Sequence, residues 1–146
     1  MLTRKQIEQY DRNGFIAPID IFQSNQITKI KKEIEIAEGI WKKELSGIGR
    51  NNAHYVLPIL DKIAHDEKIL DAVESLIGHD ILIAGTTLFI KDGKTKDFVS
   101  WHQDARYIGF EPHNWVTAWL AVSDANEENG CMRMIPGSHL NPLNEH

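Results

Sequence analysis

The chain has 146 residues, enough for one domain with a sizeable core, and its 42% hydrophobic and 25% charged residues are ordinary for a soluble globular protein. A net charge of −5 without a lysine and arginine cluster gives no support to nucleic-acid binding. The N-terminal residues lack the apolar core of a secretory signal, and no run of about 18 apolar residues could span a membrane. Cys131 is the only cysteine, which excludes an internal disulfide and favours a cytoplasmic location.

Three helices are predicted in the first half of the chain. The first has Thr3 as N-cap and ends at Asn13-Gly14. The second begins at Ser24 and places five apolar residues on one face, Ile27, Ile30, Ile34, Ala37 and Trp41. The third has Asp66 as N-cap and ends at Gly78. Residues 46–58, with two glycines and a proline, are predicted to form a loop with a short extended piece.

After the third helix the hydrophobic pattern becomes that of β-strands. Short apolar runs occupy residues 81–90, 98–104, 115–122 and 131–135, and turns are predicted at Asn129-Gly130 and Pro136-Gly137-Ser138. Helices followed by antiparallel strands predict an α+β fold with helices against a β-sandwich or jelly roll. A jelly roll needs eight strands and about four are visible, so the β-part is expected to be incomplete at its C-terminal side.

The segment Trp101-His102-Gln103-Asp104 carries the chemistry. Alternate side chains of a strand share a face, so His102 and Asp104 are expected to point the same way and could bind one cation together. Two histidines and one carboxylate on one face of an octahedron form the iron(II) site of oxygenases, with three positions left open. A His-x-Asp sequence alone is a weak indication, because it is frequent by chance.

The stretch WHQDARYIGFEPHNWVTAWLAVSDANEENGCMRMIPGSH resembles the phytanoyl-CoA dioxygenase family. The family pattern pairs His-x-Asp with a downstream Trp-bearing strand, an Asn-Gly-Cys turn and a Pro-Gly-Ser/Thr-His turn. LTRKQIEQYDRNGF and DEKILDAVESLIG also resemble family helices, so the resemblance covers essentially all of residues 1–146, interpreted as a single domain. It implies a double-stranded β-helix of the cupin type. It also implies hydroxylation of a small organic molecule by molecular oxygen, coupled to oxidative decarboxylation of 2-oxoglutarate to succinate and CO2.

The resemblance assigns roles to particular residues. His102 and Asp104 match the first two iron(II) ligands, and Trp119 matches a tryptophan near the cosubstrate, although a purely core role is as plausible for it. Thr87 and His54 match polar contacts of 2-oxoglutarate; for His54 an ordinary loop histidine is nearly as good an interpretation.

Arg106 and the remaining histidines are judged from their positions. If the strand continues past Asp104, Arg106 reaches into the pocket, where its guanidinium would suit a substrate carboxylate or phosphate; if the strand ends there, Arg106 lies at the rim. His139 matches a family turn histidine expected to stabilise its turn. The others are expected at the surface, namely His65, His79 and His113.

Two parts of the family pattern are not found. The distal iron-binding histidine and the basic residue that grips 2-oxoglutarate lie beyond the Pro-Gly-Ser-His turn in the family, and this chain stops at His146. We therefore expect these 146 residues alone to be inactive. Asp104 favours hydroxylation over halogenation, since related halogenases have a small residue there. The alternative is a non-catalytic remnant that binds a metal or a partner weakly. A third interpretation, a cupin-like zinc hydrolase, is not supported, because the sequence offers no suitable histidine cluster to bind the zinc.

Overall fold

The computed structural model describes residues 1–91, 93–96 and 98–143. At residues 48 and 49 it describes the backbone but not the side chains. The α-helices in this part are α1 (Arg4–Asn13), α2 (Ser24–Ile40), α3 (Pro58–Ala64), α4 (Glu67–Ile77) and the single turn α5 (Ala105–Ile108). Two short 3-10 helices lie between α2 and α3, at Gly47–Arg50 and Ala53–Tyr55, and a third follows α5, at Ser138–Leu140. Among the helices in these ranges none is long and apolar enough to cross a bilayer.

The three predicted helices are confirmed, together with the caps predicted for the first and the third. Trp41, predicted on the apolar face of the second helix, lies just past its end and is 51% exposed. The Thr3 hydroxyl accepts a hydrogen bond from the Gln6 amide in a capping box, and Gly14 ends α1 with φ of 81°. α2 begins at Ser24 and buries Ile30 on the predicted face. The Asp66 carboxylate accepts from the Lys68 amide at the start of α4. These caps satisfy backbone groups that would otherwise lack partners at the helix ends.

The hydrophobic core lies between α2 and α3. Its buried apolar members all fall between residues 30 and 60, and they are Ile30, Ile34, Ala37, Leu45, Ala53, Leu57 and Leu60. Leu88 and Val122 pack against this cluster from the second half of the chain. α3 was not predicted, because Pro58 was taken as the end of a loop; it is the first residue of the helix, where its missing N–H costs nothing.

The β-part differs from the prediction. Within the described ranges residues 81–90, 98–104, 115–122 and 131–135 form no strand ladder, and a single antiparallel bridge joins Asn51 to Thr87. The Asn52 amide donates to the Thr86 carbonyl at 2.7 Å, and the Leu88 amide donates to the Arg50 carbonyl at 3.0 Å. A strand needs a partner along its length to form a ladder. Among the described residues of these four runs, only Thr87 pairs with another segment. The β-helix therefore stays a prediction.

Both predicted turns are present. At the first, the Cys131 amide donates to the Asn126 carbonyl at 2.9 Å, and Gly130 has φ of 80°. At the second, Gly137 has φ of 76° and precedes the 3-10 helix Ser138–Leu140. The Gly137 amide donates to the Asn13 carbonyl at 2.8 Å, which attaches this turn to the end of α1.

Candidate metal-binding site

The side chains of His102 and Asp104 converge. His102 Nε2 lies 3.0 Å from Asp104 Oδ1, and the two side chains remain 33% and 47% exposed. Two ligands at about 2.1 Å from one ion and at right angles to each other are roughly 3.0 Å apart, so the spacing fits neighbouring corners of an octahedron. An imidazole nitrogen and a carboxylate oxygen are also the ligand types of the iron(II) facial site. The pair therefore fits two of its three ligands.

A backbone carbonyl orients the His102 ring. His102 Nδ1 lies 2.7 Å from the Ser100 carbonyl oxygen, which can only accept a hydrogen bond. Nδ1 therefore donates to this carbonyl, and Nε2 is the nitrogen that faces Asp104 and would bind a metal. Tyr107 meets the same ring edge-on, with centroids 5.8 Å apart. Metal-binding histidines usually have this second hydrogen bond, because it fixes both the tautomer and the ring orientation.

Asp104 is held differently from the prediction. It has helical backbone angles and begins α5, so a regular strand does not continue through it. The amides of Tyr107 and Ile108 donate to its carbonyl at 2.9 and 3.2 Å. Its Oδ2 accepts from the Thr117 hydroxyl at 3.4 Å, and Oδ1 faces His102. Each carboxylate oxygen thus has a different neighbour, which restricts rotation of the group. Neither Ser100 nor Thr117 was among the predicted site residues.

Two other histidines lie beside carboxylates, but with the opposite ring nitrogen. His65 Nδ1 lies 3.1 Å from Asp61 Oδ1 and is also shared with the Asp61 carbonyl, and His79 Nδ1 contacts Glu74. At both histidines Nδ1 faces the carboxylate, and at His65 the same nitrogen also meets a backbone carbonyl. Across residues 1–91, 93–96 and 98–143 no group of three or more histidine, cysteine or acidic side chains could hold a metal. Within these ranges His102 and Asp104 are therefore a pair without a third such side chain beside them.

His54 and Thr87 lie on the two segments joined by the Asn51–Thr87 bridge. His54 is 5% exposed, and its Nδ1 lies 2.8 Å from the Thr86 hydroxyl. The Thr87 hydroxyl instead donates to Asn51 Oδ1 at 3.1 Å. The structure brings the two residues onto one local unit, but each hydrogen-bonds its own partner. The burial of His54 was not anticipated from its loop sequence; the residue directly follows Ala53, which belongs to the core.

Trp119 and Arg106 are both accessible. Trp119 is 48% exposed, on the segment that also carries Thr117. Arg106 is exposed and lies within α5, and its amide donates to the Gln103 carbonyl at 3.0 Å. The expectation that a continuing strand would point Arg106 into a pocket beside His102 and Asp104 is wrong, because the backbone turns helical at Asp104. Its exposure is compatible with the other interpretation, a place at the rim of the site, which stays a prediction.

Known proteins resemble the chain along most of its length. Residues 10–146 match the family model described as Phytanoyl-CoA dioxygenase (PhyH). The peroxisomal phytanoyl-CoA dioxygenase of Bos taurus is 28% identical over 172 aligned positions, covering 100% of this chain and 50% of the relative. An ectoine dioxygenase of Bordetella bronchiseptica is 25% identical over 154 positions, and the alignment covers 94% of this chain and 50% of the relative.

A probable alpha-ketoglutarate-dependent hypophosphite dioxygenase of Stutzerimonas stutzeri is 26% identical over 95 positions, covering 65% of this chain and 33% of the relative. No solved structure matches the chain. The chain spans about half the length of the first two relatives. Since the family model covers nearly all of its residues, the chain belongs to the phytanoyl-CoA dioxygenase family.

Proposed function

We propose that residues 1–146 form the N-terminal part of an iron(II)- and 2-oxoglutarate-dependent dioxygenase that hydroxylates a small organic molecule. His102 and Asp104 are two of its three iron ligands. The observation that carries the proposal is the 3.0 Å spacing of His102 Nε2 and Asp104 Oδ1, with His102 Nδ1 bound to a backbone carbonyl. Family membership supports the same reaction class.

The residues around the pair prepare it for metal binding. The Ser100 carbonyl keeps the His102 proton on Nδ1, and Thr117 holds one oxygen of Asp104 so that the other faces His102. The carboxylate brings a negative charge that offsets part of the charge of a divalent cation. When bound, iron(II) supplies dioxygen activation: one oxygen atom enters a substrate C–H bond as hydroxyl, and the other enters succinate as 2-oxoglutarate loses CO2. Trp119, Thr87 and His54 are proposed to lie near the cosubstrate, and Arg106 to contact substrate.

The names of the relatives support the reaction more than any substrate. Three of them refer to phytanoyl-CoA, ectoine and hypophosphite, which are chemically unlike one another, and they share the word dioxygenase. We therefore propose the same type of reaction for this chain, but we do not propose a CoA thioester as its substrate. The alternative, a non-catalytic remnant, is less well supported because both ligand side chains are present and converge.

Succinate release tests the proposal. In the longest product of the gene that carries this chain, 2-oxoglutarate decarboxylation should require iron(II) and fall to background in Asp104→Ala, because alanine supplies neither ligand nor charge. His113→Ala is the matched control, since His113 is exposed and its Nδ1 donates to the nearby Phe110 carbonyl. Undiminished activity in Asp104→Ala would remove the mechanism. The 146-residue chain alone is expected to give no turnover, and steady turnover by it would show that another residue completes the site.

A further inference from the structure

The turn at residues 136–139 is fixed to the C-terminal end of α1 by two hydrogen bonds. The Gly137 amide donates to the Asn13 carbonyl at 2.8 Å, and His139 Nε2 donates to the Asp11 carbonyl at 3.0 Å. We call this attachment the clasp. It joins residues 128 positions apart in the sequence. Both acceptors belong to the last turn of α1, whose carbonyls have no partners within the helix.

Gly14 makes room for the clasp. Its φ of 81° favours glycine, and the His139 ring occupies the space that a Cβ at this position would need. The Gly14 amide also donates to the Tyr10 carbonyl at 2.7 Å, which closes the helix. The end of α1 and the His139 ring are therefore fitted to each other. The role expected for His139 was to stabilise its own turn. That role does not explain why its ring fits against the end of a distant helix.

The clasp continues to the metal ligands. Three residues after His139, the Pro142 carbonyl accepts a hydrogen bond from Gln103 Nε2 at 3.4 Å. Gln103 stands between His102 and Asp104, so this bond holds the peptide units that carry both ligands. A path of direct contacts thus runs from the end of α1 through residues 137–142 to the ligand pair.

We propose that His139 and Gly14 are positioning residues for the metal site. The clasp fixes residues 140–142 in space, and Pro142 in turn fixes Gln103 and so the relative placement of His102 and Asp104. The inference rests on the proposed function, because it assumes that this pair binds the metal. It predicts that cutting the path at either end, at His139 or at Gln103, weakens metal binding without removing a ligand.

The test is an NMR titration of the 146-residue chain with Mn(II), following paramagnetic broadening and the Gln103 side-chain amide signal. His139→Ala should shift that signal and lower Mn(II) affinity about tenfold, the lower end for groups that orient metal ligands. Gly14→Ala should do the same, because its Cβ would meet the His139 ring. His139→Gln, whose amide nitrogen can replace Nε2 as donor, should recover part of the affinity.

Three further variants make each outcome decisive. Gln103→Leu cuts the path at the ligand end and leaves the clasp intact, so it should weaken Mn(II) binding even if His139→Ala fails to fold. His65→Ala, at an exposed histidine far along the sequence, should change neither readout. Unchanged affinity in Gln103→Leu and in a folded His139→Ala would overturn the positioning role. If His102→Ala also leaves Mn(II) binding unchanged, the proposed metal site itself fails, and the two failures are thereby distinguished.

Discussion

At the scale of single residues, the candidate site depends on which atom of each side chain is already engaged. His102 directs Nδ1 to the Ser100 carbonyl and Nε2 to Asp104, whereas His65 and His79 direct Nδ1 to their carboxylates. The sequence predicted that His102 and Asp104 would share a face. It could not predict the contacts of Ser100 and Thr117, because these depend on backbone angles and on a segment 13 residues away.

Thr117 is expected to strengthen metal binding through Asp104. In Thr117→Val the methyl group keeps the volume of the hydroxyl but cannot donate to Oδ2, so the carboxylate is freer to rotate. Mn(II) affinity should fall about three- to tenfold, at or below the lower end for groups that orient metal ligands, since both side chains are exposed. Isothermal titration calorimetry measures the change. Thr117→Ser keeps the donor and is the control; equal losses in the two variants would contradict this role.

Arg106 is expected to contribute modestly to substrate binding. Because it is exposed at the rim, an ion pair with an anionic substrate group should be worth about 0.2–1 kcal/mol, not the 1.5–3 kcal/mol of a buried hydrogen bond to a charged group. In the active gene product, Arg106→Ala should therefore raise KM severalfold at most and leave kcat unchanged. Steady-state kinetics with varied substrate measures both. An unchanged KM would remove only this residue's role.

At the scale of elements, the stability of the described chain depends on one face of α2. Ile34 is 6% exposed in the core, whereas Ile36, two residues on, is 52% exposed. Ile34→Ala should lower the free energy of unfolding by about 2–4 kcal/mol through lost burial and the cavity left behind. Ile36→Ala should change it by about 0.5 kcal/mol or less. Urea unfolding followed by circular dichroism compares them, and similar losses would mean that the face of α2 is wrongly assigned.

The elements also show which parts of the fold were predictable. α1, α2 and α4 were predicted because apolar spacing and helix caps are local features of the sequence. Thr3 and Gly14 cap α1, and Asp66 and Gly78 cap α4. α3 was missed because Pro58 is equally suited to a loop and to the first position of a helix. The apolar runs after residue 80 predicted extended chain, but strand pairing depends on residues far apart in sequence, which no local pattern specifies.

At the scale of the whole molecule, the two halves of the chain are packed very differently. The buried apolar residues lie between positions 30 and 60, while Leu82, Phe89 and Phe98 in the second half are 96%, 71% and 81% exposed. Patches of exposed large apolar groups are unusual for a monomer and are typical of surfaces that bind another polypeptide segment or a ligand. The asymmetry suggests that most of the free energy of folding comes from the helical half.

Hydrogen exchange should reproduce this asymmetry in the 146-residue chain. Peptides from α2 and α3 should exchange slowly, because their amides are hydrogen-bonded beside the core, and peptides covering 115–122 should exchange within seconds. The Gly137 amide, which bonds α1, should be slower than its neighbours. Mass spectrometry with short labelling times resolves these segments. Protection of 115–122 equal to that of α2 would instead indicate that the predicted strands are paired in solution.

The central claim is that His102 and Asp104 form the metal site, and a Mn(II) titration followed by residue-resolved NMR tests it most directly. His65 with Asp61 and His79 with Glu74 serve as internal competitors, since each also pairs an imidazole with a carboxylate. The account predicts that signals of residues 100–104 broaden at the lowest Mn(II) concentration, and that Asp104→Ala removes this effect while Asp61→Ala does not. Broadening that begins at His65 or His79, or that survives Asp104→Ala, would contradict it.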